Sequence, residues 1–171
     1  MIETVLITRC DLLIAPLLAA LPAALSSREA AAGPDPTMTI VTLPHEIDWI
    51  RAEGFPENSV EQAPLWSKTS ESGLYYVLVR WYPGYMSAPH WYETDRYCVV
   101  LSGTWWVASG DKFDPENTVP APAGSFVRRV ARTPHYDGVK RDGTEPAVIA
   151  ICGIGPITFH ATEPAPGWRK V

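Results

Sequence analysis

Two short segments of the chain carry the residue types most suited to chemistry. They are GYMSAPHWYETDRYCVVLSG, residues 84–103, and GSFVRRVARTPHYDGV, residues 124–139. Successive residues of a β-strand point to opposite faces, so His90 and Tyr92 would share one face of a strand in the first segment. An imidazole or a phenol there could move a proton, and Arg96 could bind a carboxylate through two parallel hydrogen bonds. These residue types favour a site for a small molecule.

The first segment resembles the first motif of the cupin family. That motif has a glycine, two histidines one residue apart, a glutamate and a second glycine, and its spacings are occupied here by Gly84, His90, Tyr92, Arg96 and Gly103. In such cupins the two histidines and the glutamate bind a divalent metal together with a histidine of the second motif. The resemblance thus implies that Tyr92 replaces one ligand and that Arg96 replaces the carboxylate. Arginine cannot bind a metal, because it stays protonated and has no free lone pair.

The second segment is similar to the second cupin motif at two positions. Its glycine and histidine match Gly124 and His135, whereas the proline, the second glycine and the asparagine of the motif are replaced by Val130, Arg132 and Val139. With the flanking strands, the resemblance extends over about residues 65–160, which is most of one domain. It implies an all-β chain folded as a cupin-type double-stranded β-helix, or jelly-roll barrel.

A divalent metal ion is the cofactor that this resemblance implies. Fe, Mn, Ni or Zn would be bound by His90, His135 and Tyr92, and Glu93 or Asp95 could join them if the strand bulges there, since a bulge re-aims a side chain. The metal could activate dioxygen or polarise a carbonyl. The expected protein is then a dioxygenase-like oxidoreductase, or an isomerase or lyase, acting on a small aromatic, keto or carboxylate substrate inside the barrel.

Two alternatives involve no metal. In one, Arg96 binds a carboxylate while His90 or Tyr92 moves a proton, which makes Tyr92 and Arg96 the candidate catalytic residues. In the other, His90 and His135 have their hydrogen bonds satisfied inside a ligand-binding or regulatory cupin without turnover. One fold hosts many functions, so the fold does not decide among the three.

Short strands must position these side chains. Aromatic and β-branched runs bounded by glycine or proline predict strands at residues 74–82, 97–101, 104–108, 125–130, 147–152 and 157–160. Ser102-Gly103 predicts a hairpin turn, and Pro120 and Pro122 predict a break in the chain. Close spacing without a sustained helical period favours a sandwich or a closed barrel. An immunoglobulin-like sandwich is the alternative architecture.

Length and charge limit the classes of protein and of partner. The chain has 171 residues, 46% of them apolar, which suits one domain with one core. Its net charge is −5 and its pI is near 5.3, which argues against nucleic acid or an anionic membrane surface as a partner. The basic cluster of Arg128, Arg129, Arg132, Lys140 and Arg141 is interpreted as a solvated strand edge and turn.

The chain divides into four parts. Residues 1–32 are predicted to be a signal peptide or a disordered leader, 33–44 a linker and first strand, 45–163 a single cupin β-barrel, and 164–171 a C-terminal tail. The leader contains LLIAPLLAALPAAL, which is too short to span a bilayer but fits the apolar part of a secretory signal. We therefore expect export to the periplasm or the medium, with a cytoplasmic location as the alternative.

Cysteines and tryptophans give two further expectations. Cys10, Cys98 and Cys152 have no paired spacing, and Cys98 and Cys152 are expected to be buried thiols. Adjacent Trp105 and Trp106 must face opposite sides of their strand, so at most one enters the barrel. The resemblance also implies a homodimer, in which covered strand edges would be the physical advantage.

Overall fold

The computed structural model describes residues 39–52, 54–164 and 166–171 of the chain. The leader predicted at residues 1–32, with Cys10, lies outside the described residues. A short 3-10 helix, η1, covers Pro44–Glu46, and the remaining regular structure is β. The strands are β1 (Ile50–Arg51), β2 (Val60–Trp66), β3 (Gly73–Trp81), β4 (Tyr85–Ser87), β5 (His90–Trp91), β6 (Arg96–Ser102), β7 (Thr104–Ser109), β8 (Val119–Pro122), β9 (Phe126–Arg129), β10 (His135–Val139), β11 (Ala147–Gly155), β12 (His160–Ala161) and β13 (Trp168–Lys170).

The strands form two antiparallel sheets. The first sheet has the order β1-β2-β3-β11-β6-β9, and the second has the order β12-β5-β10-β4-β13, with β7 paired to β10 and β8 paired to β7. Most neighbours are distant in the sequence, as in a jelly roll, where consecutive strands alternate between sheets. The expectation of an all-β domain is therefore confirmed.

The core lies between the two sheets. Alternate residues of the central strands point into it, including Val77 and Val79 on β3 and Ile149 and Ile151 on β11, all of them buried. The apolar side chains of β6 and β7 complete the same cluster, and Trp105 of β7 is one of them. Each fully buried Val or Ile side chain contributes roughly 1.5–3 kcal/mol to folding. This packing holds the inward faces of the strands in register.

The hairpin predicted at Ser102-Gly103 was wrong, because the glycine turn joins β6 of the first sheet to β7 of the second and the two strands do not pair. Gly103 has a φ of +70°, which favours glycine, and a Cβ there would lie 2.5 Å from the carbonyl oxygen of Pro146. Trp105 and Trp106 face opposite sides, as predicted. Trp105 is 2% exposed inside the barrel, while the ring of Trp106 lies outside with the Lys140 ammonium 4.4 Å from its centre.

Three of the predicted boundaries were wrong. The predicted break at Pro120 and Pro122 is strand β8, which tolerates proline because it is an edge strand that pairs only with β7. The predicted tail contains β13, whose residues Trp168–Lys170 pair with Tyr85–Ser87 of β4. Residues 39–43 form no strand, and the first strand is instead Ile50–Arg51. β13 forms by pairing with a strand that is remote in the sequence, and local composition did not reveal it.

The two described cysteines lie on neighbouring strands and are both free thiols. Cys98 of β6 is paired with Ile151 of β11 and is fully buried in the core, whereas Cys152 is paired with Tyr97 and is partly exposed. Consecutive residues of a strand point to opposite faces, so the two thiols lie on opposite sides of the sheet. Among the described residues, no helix has the length and apolar character needed to cross a membrane.

Candidate active site

The two predicted histidines lie next to each other in the second sheet. His90 on β5 is directly opposite His135 on β10, and their ring centres are 4.5 Å apart. Each residue is 3% exposed. Antiparallel pairing thus joins two residues that are remote in the sequence, and it brings together two of the three candidate metal ligands.

Backbone carbonyls determine which nitrogen of each ring carries the proton. The Nδ1 atom of His90 is 2.7 Å from the carbonyl oxygen of Ala88, and that of His135 is 2.9 Å from the carbonyl oxygen of Thr133. A carbonyl oxygen can only accept, so both Nδ1 atoms donate. The lone pairs are therefore on the two Nε2 atoms. The Nε2 atom of His135 is buried without a partner among the described residues.

Both imidazoles are neutral near pH 7. Burial lowers the pKa of His90 to about 4. Burial, followed by the nearby charge of Arg129 and the ring of His90, lowers the pKa of His135 to about 3. Each ring therefore offers a free Nε2 lone pair, which can accept a proton or a hydrogen bond.

Acid should destabilise the fold through these two histidines. In the unfolded chain they protonate near pH 6.5, but in the folded chain they stay neutral to about pH 4 and about pH 3. The unfolded state thus binds more protons, and we expect the unfolding free energy to fall by about 2 kcal/mol per histidine between about pH 7.5 and about pH 5. Denaturant titrations across this range measure it. His135→Gln should flatten the slope, whereas His45→Gln, at an exposed position, should keep it; a flat wild-type profile would contradict the expectation.

Tyr92 and Arg96 lie beside the histidines, as predicted. The ring of Tyr92 meets that of His90 edge-on at 5.0 Å, and the guanidinium carbon of Arg96 is 4.4 Å from the centre of the Tyr92 ring. Burial raises the pKa of Tyr92, and the charge of Arg96 only partly opposes this, so the phenol keeps its proton. No ion pair in the described part of the chain involves Arg96, and its Nε atom is buried without a partner.

Arg96 belongs to a row of three neighbouring residues, Tyr75, Gly153 and Arg96, that crosses the first sheet. Gly153 of β11 is paired with both Tyr75 of β3 and Arg96 of β6. A Cβ at Gly153 would lie 2.5 Å from the Tyr75 hydroxyl, so only glycine lets the Tyr75 ring lie across this position toward Arg96. Tyr75 is completely buried, and its hydroxyl has no partner among the described residues. The position of Tyr75 next to Arg96 was not predicted from the sequence.

A buried ion pair completes the site and was also missed. Arg129 donates to Asp137 at 3.0 Å, and the indole of Trp105 donates to the other carboxylate oxygen at 3.1 Å. Burial would raise the pKa of Asp137, but Arg129, His90, His135 and Arg96 together outweigh burial and lower that pKa, so the carboxylate is ionised. Asp137 is two positions after His135 on the same strand, so strand alternation already placed both on one face. The prediction of a solvated basic cluster was wrong for Arg129, which is 6% exposed.

The other carboxylates of the first motif point away from the site. Glu93 accepts hydrogen bonds from the Thr158 amide at 2.9 Å and from His160 at 2.6 Å, and the Thr158 amide and His160 lower its pKa to about 2. Asp95 accepts from Arg128 and from the backbone amide of Ala131. Both carboxylates are thus committed elsewhere. The hypothesis that a bulge brings Glu93 or Asp95 to a metal was wrong.

Two adjoining cavities lead to these side chains. An inner cavity of about 80 Å³ is bordered by His90, Asp137 and Arg129, and a larger vestibule of about 550 Å³ lies outside it. Tyr92 and Arg96 border both. A small molecule in the barrel therefore meets the guanidinium of Arg96 and the Arg129–Asp137 ion pair. It also meets the neutral rings of His90 and Tyr92.

The residues present do not fit a resident divalent metal. The described residues contain no cluster of three or more His, Cys, Asp or Glu side chains able to hold a metal ion. The two histidines supply nitrogen lone pairs, but the third candidate ligand, Tyr92, is a protonated phenol. Two arginines, Arg96 and Arg129, face one carboxylate, Asp137, so the site carries a net charge of about +1. Catalytic metal sites normally use three protein ligands, and a positive surrounding opposes a dication.

Comparison with solved structures shows which fold this is. A polyketide cyclase, RemF, from Streptomyces resistomycificus is similar with a TM-score of 0.62, 11% identity, and coverage of 76% of this chain and 89% of that one. An RmlC-like cupin from Ralstonia eutropha gives a TM-score of 0.57, 14% identity, and coverage of 78% and 80%. KdgF from Halomonas gives a TM-score of 0.51, 18% identity, and coverage of 69% and 96%. No family model and no curated protein sequence matches the chain.

These likenesses show that the chain has the cupin fold, a double-stranded β-helix. The fold predicted from the two motifs is therefore confirmed. Identities of 18% or less carry the fold alone. What the barrel does is argued below from its own side chains.

Proposed function

We propose that this cupin is an enzyme of the isomerase or lyase type that acts on a small carboxylate without a resident metal. The observation that carries the proposal is the guanidinium of Arg96, which borders both cavities with no carboxylate partner in the described residues and shares the inner cavity with the neutral imidazole of His90. The fold is shared by a polyketide cyclase and is thus compatible with catalysis. Fold likeness adds nothing about the substrate.

Arg96 supplies the binding step. A buried cation without a counter-ion is costly, and a substrate carboxylate would relieve that cost through charge-assisted hydrogen bonds. The net positive charge of the site, from Arg96 and the Arg129–Asp137 pair, favours a monoanion. We therefore expect the carboxylate of the substrate to bind at Arg96.

His90 supplies the proton-transfer step. Its Nε2 lone pair accepts a proton from the carbon next to a carbonyl of the bound molecule, and the electron pair of that C–H bond moves to the carbonyl oxygen to give an enolate. The neutral phenol of Tyr92 can donate a hydrogen bond to the enolate oxygen. Returning the proton to another carbon completes an isomerisation, and expelling a β-leaving group completes a lyase reaction, so no oxidant is consumed.

A bound carboxylate also makes His90 a better base. In the ligand-free barrel, burial holds the pKa of His90 at about 4, below the value best suited to a base at neutral pH. A negative charge near Arg96 offsets the repulsion that Arg96 exerts on a protonated His90 and raises that pKa. Binding and proton transfer are thus linked.

Binding of pyruvate, the simplest carboxylate with an adjacent ketone, tests the proposal. Arg96→Gln is expected to weaken pyruvate binding by about 10- to 100-fold, because a hydrogen-bonded charge contributes about 1.5–3 kcal/mol. Isothermal titration of the full-length chain gives the affinity. Arg128→Gln is the matched control, since Arg128 is on β9 outside the barrel and pairs with Asp95. Equal affinities for wild type and Arg96→Gln, or no binding by either, would reject the proposal.

A metal-dependent cupin is the second candidate, favoured by the unpartnered Nε2 of His135. His90, His135 and Tyr92 would then hold Fe, Mn, Ni or Zn, as the motif resemblance implies. Elemental analysis of protein purified without chelator separates the two candidates, because only the metal-dependent cupin requires a bound metal. Homodimer formation and export remain predictions from the sequence.

A further inference from the structure

We infer that the substrate is a carboxylate with a bulky apolar body, such as an aryl group, which lies in the vestibule while the carboxylate is held at Arg96. This inference rests on the proposed function and names the substrate class of the same site. The inner cavity and the vestibule share several lining residues, and the residues at their junction and walls determine which molecules fit there.

Several residues border both the inner cavity and the vestibule and so mark their junction. They include Tyr92, Arg96 and Phe159. A carboxylate bound to Arg96 at this junction has His90 on its inner side and the vestibule on its outer side. The carbon next to the ketone then lies within reach of His90, and the apolar group that it carries extends into the vestibule.

The inner cavity and the vestibule differ in volume. The inner cavity has a volume of about 80 Å³, whereas the vestibule has about 550 Å³. Pockets for small organic ligands commonly measure about 300–1,000 Å³. The vestibule is therefore large enough for an organic group, and the inner cavity suits only the small polar end of the substrate.

The vestibule wall is mainly apolar. Phe55, Val77, Ile157 and Phe159 line it, and Arg96 is its one charged residue among the described residues. Phe159 is 40% exposed on one side and stacks on the His90 ring at 4.3 Å on the other. An apolar body gains free energy by covering such surface, and an aromatic ring can also pack against the phenylalanine rings.

Gly167 provides the space between the two phenylalanines. It borders both cavities, and a Cβ there would lie 3.4 Å from Cζ of Phe55 and 3.5 Å from Cζ of Phe159. Its φ is not in the left-handed region, so a side chain would not strain the backbone. A larger residue at this position would narrow the vestibule between the two phenylalanines and leave Arg96 in place.

Affinities for phenylpyruvate and pyruvate test the inference. The two probes share the carboxylate and ketone and differ by one phenyl ring. We expect the wild-type chain to bind phenylpyruvate at least about tenfold more tightly, because burial of the ring removes apolar surface from water. Gly167→Val should remove that advantage and change pyruvate affinity less than about twofold. Ala123→Val adds two methyl groups in an exposed turn and should change neither.

The outcomes separate this inference from the proposed function. If pyruvate binds in an Arg96-dependent way but phenylpyruvate binds no more tightly, or if Gly167→Val weakens both probes equally, the apolar substrate class is rejected and the proposed function stands. If neither probe binds, or neither depends on Arg96, both are rejected. Gly167→Ala, which adds one methyl group, should show a smaller loss in the same direction and serves if Gly167→Val does not fold.

Discussion

His90→Gln is expected to abolish enzyme-catalysed exchange of the methyl protons of pyruvate with deuterium. These protons are on the carbon next to the ketone, which is the position from which His90 would take a proton. Groups that act as general bases contribute about 10²- to 10⁴-fold to rate. Proton NMR of pyruvate in D₂O follows the loss of the methyl signal. Pyruvate affinity should stay within a few-fold of wild type, since Arg96 is unchanged.

The matched control for this experiment is His160→Gln. His160 lies outside the barrel, where it binds Glu93 and stacks on Trp91 at 3.9 Å. Its replacement should leave the exchange rate unchanged. Exchange that continues in His90→Gln would remove His90 as the base, and exchange that stops in wild type on adding EDTA would favour the metal-dependent candidate. A wild-type chain that binds pyruvate without accelerating exchange would instead be a binding cupin without turnover.

Asp137→Asn is expected to lower the unfolding free energy by about 3–5 kcal/mol, because it leaves the charge of Arg129 buried without compensation. The Arg129 and Asp137 side chains are 7% and 11% exposed, so water cannot replace the lost carboxylate. Typical domains are stable by only about 5–15 kcal/mol, so this is a large fraction of the total. Denaturant unfolding at constant pH measures the change.

Two variants separate the buried charge from other causes. Arg129→Gln combined with Asp137→Asn removes both charges, and we expect it to recover at least about half of the loss. Asp95→Asn makes the same change at the more exposed pair with Arg128 and should cost less than about 1 kcal/mol. A loss at Asp137 no larger than that at Asp95 would show that the buried pair does not stabilise the fold.

The alternation of side chains along a strand was enough to predict which residues of that strand share a face. Alternation placed His90 and Tyr92 on one face, and the ring distance of 5.0 Å agrees. Alternation also placed Trp105 and Trp106 on opposite faces of their strand. The same rule applied to His135 and Asp137 would have revealed the missing carboxylate, because that spacing is visible in the sequence.

The sequence by itself determined the β-rich composition, the order of the two motifs and the side chains that share a strand face with His90 and His135. Tertiary structure alone decided which partners those side chains meet. The Arg129–Asp137 pair, the Tyr75–Gly153–Arg96 row and the gap at Gly167 each join strands or segments that are separated along the chain. Such contacts depend on long-range strand pairing and register, which local propensity does not encode. The same pairing leaves Arg96 without a carboxylate partner among the described residues in a cavity that it shares with the neutral His90, and this arrangement supports the proposed function.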